Sequence, residues 1–291
     1  MSKFSYNTQR KILIFGFLII PMVLLIVFSY LPLANLVYYS TLNWDGLGDD
    51  KIFIGLDNYI KVFTSPEYFS VFKTSLYYFV GSFVQMGLAL YFATILNFKV
   101  KFKNIFKGIL FFPYLLNGVA VGFIFKFFFQ PNGTLDSLLK FIGLEGLIQF
   151  WLRNPNIINI SLSFTSIWRY MGFNFIIFLG TIQSISGSIY EAADIDGANT
   201  WQVFRYIILP SIKNIIALNA ILAVKGAISV FEIPYIMTSG ANGSMTFVIQ
   251  TLEKAFKFQK LGLASALAIV LFVIIIIVSL AQHYAFKDKE A

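Results

Sequence analysis

Six apolar runs, each long enough to cross a membrane, constrain this chain more than any other feature. A helix needs about 20 residues, at about 1.5 Å each, to cross roughly 30 Å of hydrocarbon. The runs cover residues 12–36, 74–97, 107–129, 159–181, 215–237 and 262–284. With 58% hydrophobic and only 12% charged residues, the chain has too little polar surface to coat a soluble globule of 291 residues. The sequence therefore predicts an all-α fold, that of a polytopic membrane protein with six transmembrane helices.

The remaining composition excludes several kinds of site. The chain contains no cysteine, which rules out disulfides, thiolate metal sites and cysteine nucleophiles. Its one histidine, His283, lies at the end of an apolar run, so no histidine-based metal site is expected. The net charge of +8 is expected mainly on the cytoplasmic side of the membrane, against lipid, and not at a nucleic-acid interface.

Basic residues in the short loops predict the orientation. They precede the first run and separate the second from the third, and short basic loops favour the cytoplasmic side. They are Lys3, Arg10 and Lys11, followed by Lys99, Lys101, Lys103 and Lys107. Both termini are therefore expected in the cytoplasm. One transmembrane domain is expected over residues 1–291, with an extracellular lobe at about 38–73 and a folded cytoplasmic connection at about 183–214.

The cytoplasmic connection has the pattern of two short helices. Ser188 with Glu191 three residues later forms a possible capping box for a helix that runs to Asp196. Gly197 ends that helix, and a second helix is expected from Asn199 or Thr200 to residue 208, before Pro210. The aromatic side chains Trp201, Phe204 and Tyr206 either anchor a partner or press the connection onto its own helix ends, and both interpretations stay open.

This connection resembles the signature loop of permease subunits in binding-protein-dependent ABC importers, in the variant found in the carbohydrate-uptake branch, which includes maltose, oligosaccharide and glycerol-phosphate permeases. The resemblance rests on Tyr190, Glu191, Asp194, Ile195, Asp196, Gly197, Ala198, Trp201, Phe204, Leu209 and Pro210. It extends to residues 55–59, Pro113, Tyr114, Asn132, Gly133, Trp168, Gly172, Thr238 and Gly240. The chain departs from the family pattern at Ala241 and Asn242, where glycine and proline are frequent.

The resemblance implies an assembly of two permeases, here expected to be a heterodimer, with two ATPase subunits and an extracellular solute-binding protein. The loop would dock in a cleft of the ATPase, with Glu191 facing a basic residue. The residues assigned to this coupling are Glu191, Ala192, Ala193, Asp196, Gly197 and Pro210. Since the chain lacks a glycine-rich phosphate loop, it is expected not to be an enzyme, to bind no cofactor, and to leave ATP and Mg²⁺ to the ATPase partners.

Ionisable residues inside the spans mark the expected substrate path, because a lone charge in lipid is costly and normally faces a partner or water. These residues are Arg169 in the fourth run and Lys225 and Glu232, seven residues apart and expected on one face of the fifth. By similarity to the family, the neighbouring substrate-binding positions are Tyr170, Phe173, Gly226 and Val230. An equally open alternative is that the three charges hold helices or subunits together.

The favoured cargo is a sugar, and specifically an oligosaccharide. Glycerol phosphate competes with it, since Arg169 and Lys225 could also bind a phosphate. A channel or receptor whose cytoplasmic loop recruits a partner is a more remote alternative.

Overall fold

The computed structural model describes residues 6–98 and 101–287, and helices dominate it. Of the basic residues that predict the orientation, Lys3 and Lys99 lie outside the described part. The helices, in chain order, are α1 (Tyr6–Leu25), α2 (Leu31–Ser40), α3 (Asp57–Thr64), α4 (Pro66–Ser70), α5 (Phe72–Asn97), α6 (Lys103–Leu115), α7 (Gly118–Phe128), α8 (Thr134–Phe141), α9 (Ile158–Gln183), α10 (Gly187–Ile195), α11 (Thr200–Val203), α12 (Leu209–Ser211), α13 (Lys213–Ile228), α14 (Glu232–Thr238), α15 (Phe247–Leu252) and α16 (Leu261–Lys287). Two-residue strands, β1 (Leu42–Asn43) and β2 (Ile52–Phe53), pair antiparallel with Leu42 opposite Phe53. The prediction of an all-α fold is confirmed.

Four helical stretches are long and apolar enough to cross a membrane, and six are if each of two bent helix pairs counts as one span. The four stretches are Tyr6–Ser40, Pro66–Asn97, Lys213–Thr238 and Leu261–Gln282. The bent pairs are α6 with α7, at 97°, and α9 with α10, at 72°. This count agrees with the six predicted spans.

The third predicted span, 107–129, is not one straight helix. Pro113 lies in the last turn of α6, where its missing N–H weakens the helix, and Leu116 then takes an extended conformation. The chain becomes helical again at Gly118, because the Asn117 side chain accepts a 2.8 Å hydrogen bond from the Val119 amide. Helix α7 therefore leaves at a steep angle to α6.

The fifth predicted span, 215–237, is interrupted between Ile228 and Glu232. A helix continuing into Pro234 would bring the proline ring against the carbonyl of Val230, and Pro234 has no N–H to donate. In the first turn of α14 the missing N–H costs nothing, because that turn has no intrahelical acceptor for it. The expectation that Lys225 and Glu232 share one helical face is wrong for this reason.

The chain divides into two compact units. The first contains the described residues up to Ser65 together with Thr251–Phe272, and a side-chain amide joins its turns through two backbone carbonyls. The side-chain amide of Asn58 donates to the carbonyls of Ser40 and Leu42, at 2.9 and 2.8 Å. The segment predicted as an extracellular lobe, 38–73, contains the β1–β2 pair, α3 and α4. That a single domain carries this lobe on its outer side stays a prediction.

The second unit, Pro66–Gln250 with the chain from Val273 on, is built on α5 and α9 lying side by side. Helix α6 packs on α9, and α13 packs on α5. Gly172 of α9 allows a close approach, since a Cβ there would overlap the carbonyl of Leu110 in α6. Two buried apolar clusters lie in this unit, one centred on Phe175 and Phe178 and one on Val121 and Leu162.

Candidate functional site

A cavity of about 470 Å³ lies inside the second unit, between α5, α9, α13 and α14. This volume falls within the range of about 300–1,000 Å³ that ligand sites occupy. The interruption between α13 and α14 forms part of its wall, because Ser229, Val230 and Phe231 line it. The break in the fifth span therefore makes room for the cavity and exposes irregular backbone to it, which membrane proteins tolerate where a cavity is present.

The polar lining of the cavity is mostly neutral. Gln85 of α5 and Asn174 of α9 line it, and neither side-chain amide has a hydrogen-bond partner in the described part of the chain. The Tyr78 hydroxyl is buried and likewise has no partner among the described residues. Ser166 donates to the carbonyl of Leu162 at 3.2 Å, which leaves its oxygen free to accept. The cavity thus offers both donors and acceptors to a ligand rich in hydroxyl groups.

An ion pair between Arg169 of α9 and Glu232 of α14 joins two walls of this region. The Arg169 side chain is 12% exposed and that of Glu232 is 38% exposed. The Arg169 guanidinium also donates to the Tyr170 hydroxyl, at 3.1 Å, and lies over the Tyr170 ring, 4.9 Å from its centre. Gly118, the first residue of α7, makes room for the pair, since a Cβ there would overlap both charged groups. The ion pair therefore lies where α7, α9 and α14 meet.

The structure separates the predicted substrate residues into two groups. Those that line the cavity are Tyr170, Phe173, Gly226, Val230 and Glu232. Arg169 contacts Glu232 but is not part of the lining, and Lys225 is exposed and also not part of it. The contact between Arg169 and Glu232 corresponds to the alternative in which these charges hold helices together.

Several lining residues were missed from the sequence. They are the neutral polar residues Tyr78, Ser82, Gln85, Ser163, Ser166, Asn174, Asn219 and Ser229. A signal for them exists, because Tyr78, Ser82 and Gln85 recur at i, i+4 and i+7 and so share one face of α5. A polar stripe on a helix that is otherwise apolar indicates a face turned away from lipid.

A second candidate site is the helical segment 187–211, which consists of α10, α11, a π-helical turn (Phe204–Ile208) and α12. The predicted capping box at Ser188 is wrong. Helix α10 begins at Gly187, and the Ser188 hydroxyl lies 2.8 Å from that of Ser186. A capping box forms instead at the start of α11, where Asn199 and Gln202 bond each other's backbone amides at 2.9 and 2.8 Å.

The second half of this segment also runs further than predicted. The helix does not end at residue 208, because Pro210 lies in the first turn of α12, where it needs no N–H partner, and the helix continues to Ser211. Gly197 separates the two halves with φ +73°, a left-handed conformation that favours glycine. Its predicted role as the end of the first helix agrees with this geometry.

One face of segment 187–211 is buried against the second unit. Ala193, Val203 and Ile208 belong to the cluster formed by the ends of α5 and α9. Tyr190 adds a polar contact, since its hydroxyl lies 3.5 Å from the Asn97 side-chain amide. The segment is therefore attached to the helices that line the cavity.

The opposite face of segment 187–211 is exposed. Among the predicted coupling residues Ala193 is buried, while the exposed ones are Glu191, Ala192, Asp196, Gly197 and Pro210. Large apolar side chains are exposed beside them, among them Ile195 at 86%, Trp201 at 68% and Tyr206 at 75%. Phe204 instead packs on the buried cluster. Of the predicted aromatic anchors, two are available to a partner and one holds the segment in place. Exposed apolar side chains grouped beside acidic ones are typical of a docking surface.

Comparison with known proteins decides the family. Residues 85–289 match the family described as the inner membrane component of binding-protein-dependent transport systems. The chain belongs to this family. It is a permease subunit, and the likeness to sequence relatives extends over nearly its whole length.

Two relatives show this extent. The probable ABC transporter permease protein YurN of Bacillus subtilis is 33% identical over 288 residues, which cover 97% of this chain and 98% of YurN. The permease protein MsmF of the multiple sugar-binding transport system of Streptococcus mutans is 34% identical, with 94% of this chain and 95% of MsmF covered. The predicted resemblance to carbohydrate-uptake permeases is confirmed by such relatives.

A solved structure shows the same fold. A bacterial ABC transporter involved in the import of the acidic polysaccharide alginate contains a chain that matches with a TM-score of 0.85. The match covers 98% of both chains at 21% sequence identity. The two chains therefore have the same arrangement of helices although their sequences differ at most positions.

Membership of the family settles several predictions. The permease is a multi-pass protein of the cell membrane and has no ATPase site of its own, as predicted. As part of a binding-protein-dependent system it works with a solute-binding protein, a second permease and ATPase subunits.

Within residues 6–98 and 101–287, acidic and histidine side chains form no group that could hold a metal ion.

Proposed function

We propose that this permease forms part of the pathway through which an oligosaccharide enters the cell, and that segment 187–211 couples the pathway to ATP hydrolysis. The cavity between α5, α9, α13 and α14 carries the first half of the proposal. Gln85, Asn174 and Tyr78 offer uncommitted polar groups to sugar hydroxyls, while Tyr170 and Phe173 offer aromatic surface for a sugar ring. Relatives named for multiple sugars and arabinooligosaccharides support a sugar cargo.

The exposed face of segment 187–211 supports the second half. In this proposal Glu191 pairs with a basic residue in a cleft of the ATPase subunit, and Trp201 and Tyr206 provide apolar contacts. Ala193, Val203 and Ile208 attach the segment to α5 and α9. A movement of the segment therefore also moves these two helices, which form walls of the cavity. ATP and Mg²⁺ belong to the ATPase subunits, and ATP binding drives a rigid-body change between inward-open and outward-open states.

The same proposal sets the topology and the assembly. Both termini lie in the cytoplasm, as does segment 187–211, and the segment 38–73 faces outward. Two ATPase subunits serve this permease and a second, different permease, and the solute-binding protein delivers sugar from outside. The basic residues Arg10, Lys11, Lys101 and Lys103 support this orientation.

Uptake by the reconstituted complex tests the cargo. The permease, its partner permease and the ATPase subunits are placed in proteoliposomes with ATP inside, and the solute-binding protein is added with a panel of labelled oligosaccharides and glycerol phosphate. We expect ATP-dependent accumulation of an oligosaccharide. Accumulation of glycerol phosphate alone would overturn the cargo, and a permease that purifies without any ATPase would favour a channel or receptor.

The variant Glu191→Lys tests the coupling in the same assay. We expect it to abolish uptake, with the ATPase subunits either lost from the complex or active without transport. Glu145→Lys gives the same change of charge at an exposed position outside segment 187–211 and is the matched control. Undiminished uptake in Glu191→Lys would refute the proposed role of Glu191.

A further inference from the structure

We propose that Glu232 makes the cavity selective by charge, so that it admits neutral hydroxylated solutes and repels anionic ones such as sugar phosphates and uronates. This inference rests on the proposed transport function and adds the charge class of the cargo.

The ion pair presents its two charges unequally. Glu232 lines the cavity, whereas Arg169 does not. The Arg169 side chain is the more buried of the two, at 12% against 38% exposed. The Nη1 of the guanidinium donates to the Glu232 carboxylate and the Tyr170 hydroxyl, its Nε is buried without a partner among the described residues, and its face lies on the Tyr170 ring. A solute in the cavity therefore meets the carboxylate of Glu232, whereas the guanidinium of Arg169 is not part of the lining.

No other charge in the described part of the chain faces this cavity to compensate. Glu232 is the one ionisable carboxylate or cation among the lining residues. Lys225, which the sequence suggested as a phosphate ligand, is exposed and does not line the cavity. An anion would have to give up hydration for neutral side chains and a like charge, which is costly in a partly dehydrated site. A neutral sugar loses nothing to that charge, and its hydroxyls can donate to the carboxylate.

Thiol modification measures this selectivity without knowledge of the cargo. Because the chain has no cysteine, Ser166→Cys places a single thiol on the cavity wall with little change in volume. In the assembled complex, with cysteine-free partners, the rates of modification by a cationic and an anionic methanethiosulfonate of similar size are compared. Each rate is divided by that of the same reagent with a small free thiol. The normalised rate of the cationic reagent is then divided by that of the anionic one, and this ratio does not depend on the pKa of the thiol.

We expect the cationic reagent to react faster by on the order of tenfold, as one partly compensated charge at close range should produce. Glu232→Asp should keep the ratio. Glu232→Gln leaves Arg169 uncompensated and should invert it. Should that variant not fold, the double variant Arg169→Gln with Glu232→Gln removes both charges and should bring the ratio close to one. At Ser184→Cys, an exposed position outside the cavity, the Glu232 variants should not change the ratio.

A ratio near one in the parent protein, or a ratio that the double variant leaves unchanged, would overturn the charge selectivity. If sugar uptake is present in the same preparation, the proposed function survives that result. If neither reagent reaches Ser166→Cys, the cavity is closed to water-borne solutes, and the proposed pathway fails together with this inference.

Discussion

Replacing Gly172 with alanine should loosen the contact between α6 and α9. A Cβ at this position would lie 2.9 Å from the Cα of Phe111 and closer still to the carbonyl oxygen of Leu110. Ordinary contacts of a Cβ begin at about 3.4 Å, so the two backbones must move apart by roughly half an ångström or more. The obstacle is main chain, which has no rotamer to change. Overpacking of this kind costs about 1–3 kcal/mol.

Gly180 provides a matched control on the same helix. It is exposed, and a Cβ there would meet nothing within 4 Å. Gly180→Ala should therefore be neutral, or stabilising by up to about 1 kcal/mol, because alanine favours the helix. Both variants receive the same methyl group in α9 and differ only in what surrounds it.

The assay is the thermal unfolding midpoint of the purified complex, followed by the loss of its gel-filtration peak after heating. A cost of about 1–3 kcal/mol should lower the midpoint of Gly172→Ala by several degrees, at about 2–4 °C per kcal/mol for a chain near this size. Gly180→Ala should unfold at the parent temperature or slightly above. Equal midpoints for the two variants would refute the packing argument.

Three further predictions concern polar contacts. Trp151→Phe removes the 2.8 Å hydrogen bond from the indole to the Asp136 carboxylate, which is 2% exposed, and should cost about 1–3 kcal/mol, seen as a lower thermal midpoint of the purified complex; an unchanged midpoint would contradict it. Asn199→Ala removes a capping box and should cost about 1 kcal/mol, seen as faster hydrogen exchange over α11 and α12 with no change in α5; equal exchange would contradict it. Two backbone amides that follow Asp45 donate to its carboxylate and lower its pKa. The folded-state pKa lies below the ordinary value of about 3.9, so this stabilisation is present above that value and is lost as the pH falls through the lowered pKa. As the pH falls, hydrogen exchange of the turn amides should therefore accelerate more in the parent protein than in Asp45→Asn, which has no carboxylate to protonate. The same pH dependence in both proteins would argue against the contact.

The number of spans and the all-α class follow from run length and hydropathy, because a membrane leaves few alternatives to a helix. The interruptions inside the spans were missed, although Pro113 and Pro234 mark both of them. A hydropathy window averages over such a residue, while the backbone responds to a single missing N–H and a clash one turn earlier. The break before Glu232 mattered most, since it forms one wall of the cavity.

The candidate site was partly predictable. Five of the seven proposed substrate residues line the cavity: Tyr170 and Phe173 lie on one face of α9, Gly226 lies on α13, and Val230 and Glu232 lie in and directly after the break. The pairing of Arg169 with Glu232 joins residues 63 positions apart, and no local pattern specifies such a contact. The spacing of Tyr78, Ser82 and Gln85 is enough to predict a polar face on α5. Lys225 was predicted instead because a charged residue inside a span is the stronger signal of a functional site.

Blocking the cavity tests the central claim, that solute crosses the membrane through it, most directly. In proteoliposomes carrying Ser166→Cys, sugar uptake is measured before and after reaction with a small and with a bulky neutral thiol reagent. We expect the bulky reagent to abolish uptake, the small one to reduce it less, and the transported sugar to slow the reaction. Full uptake after complete modification by the bulky reagent would show that the solute crosses elsewhere.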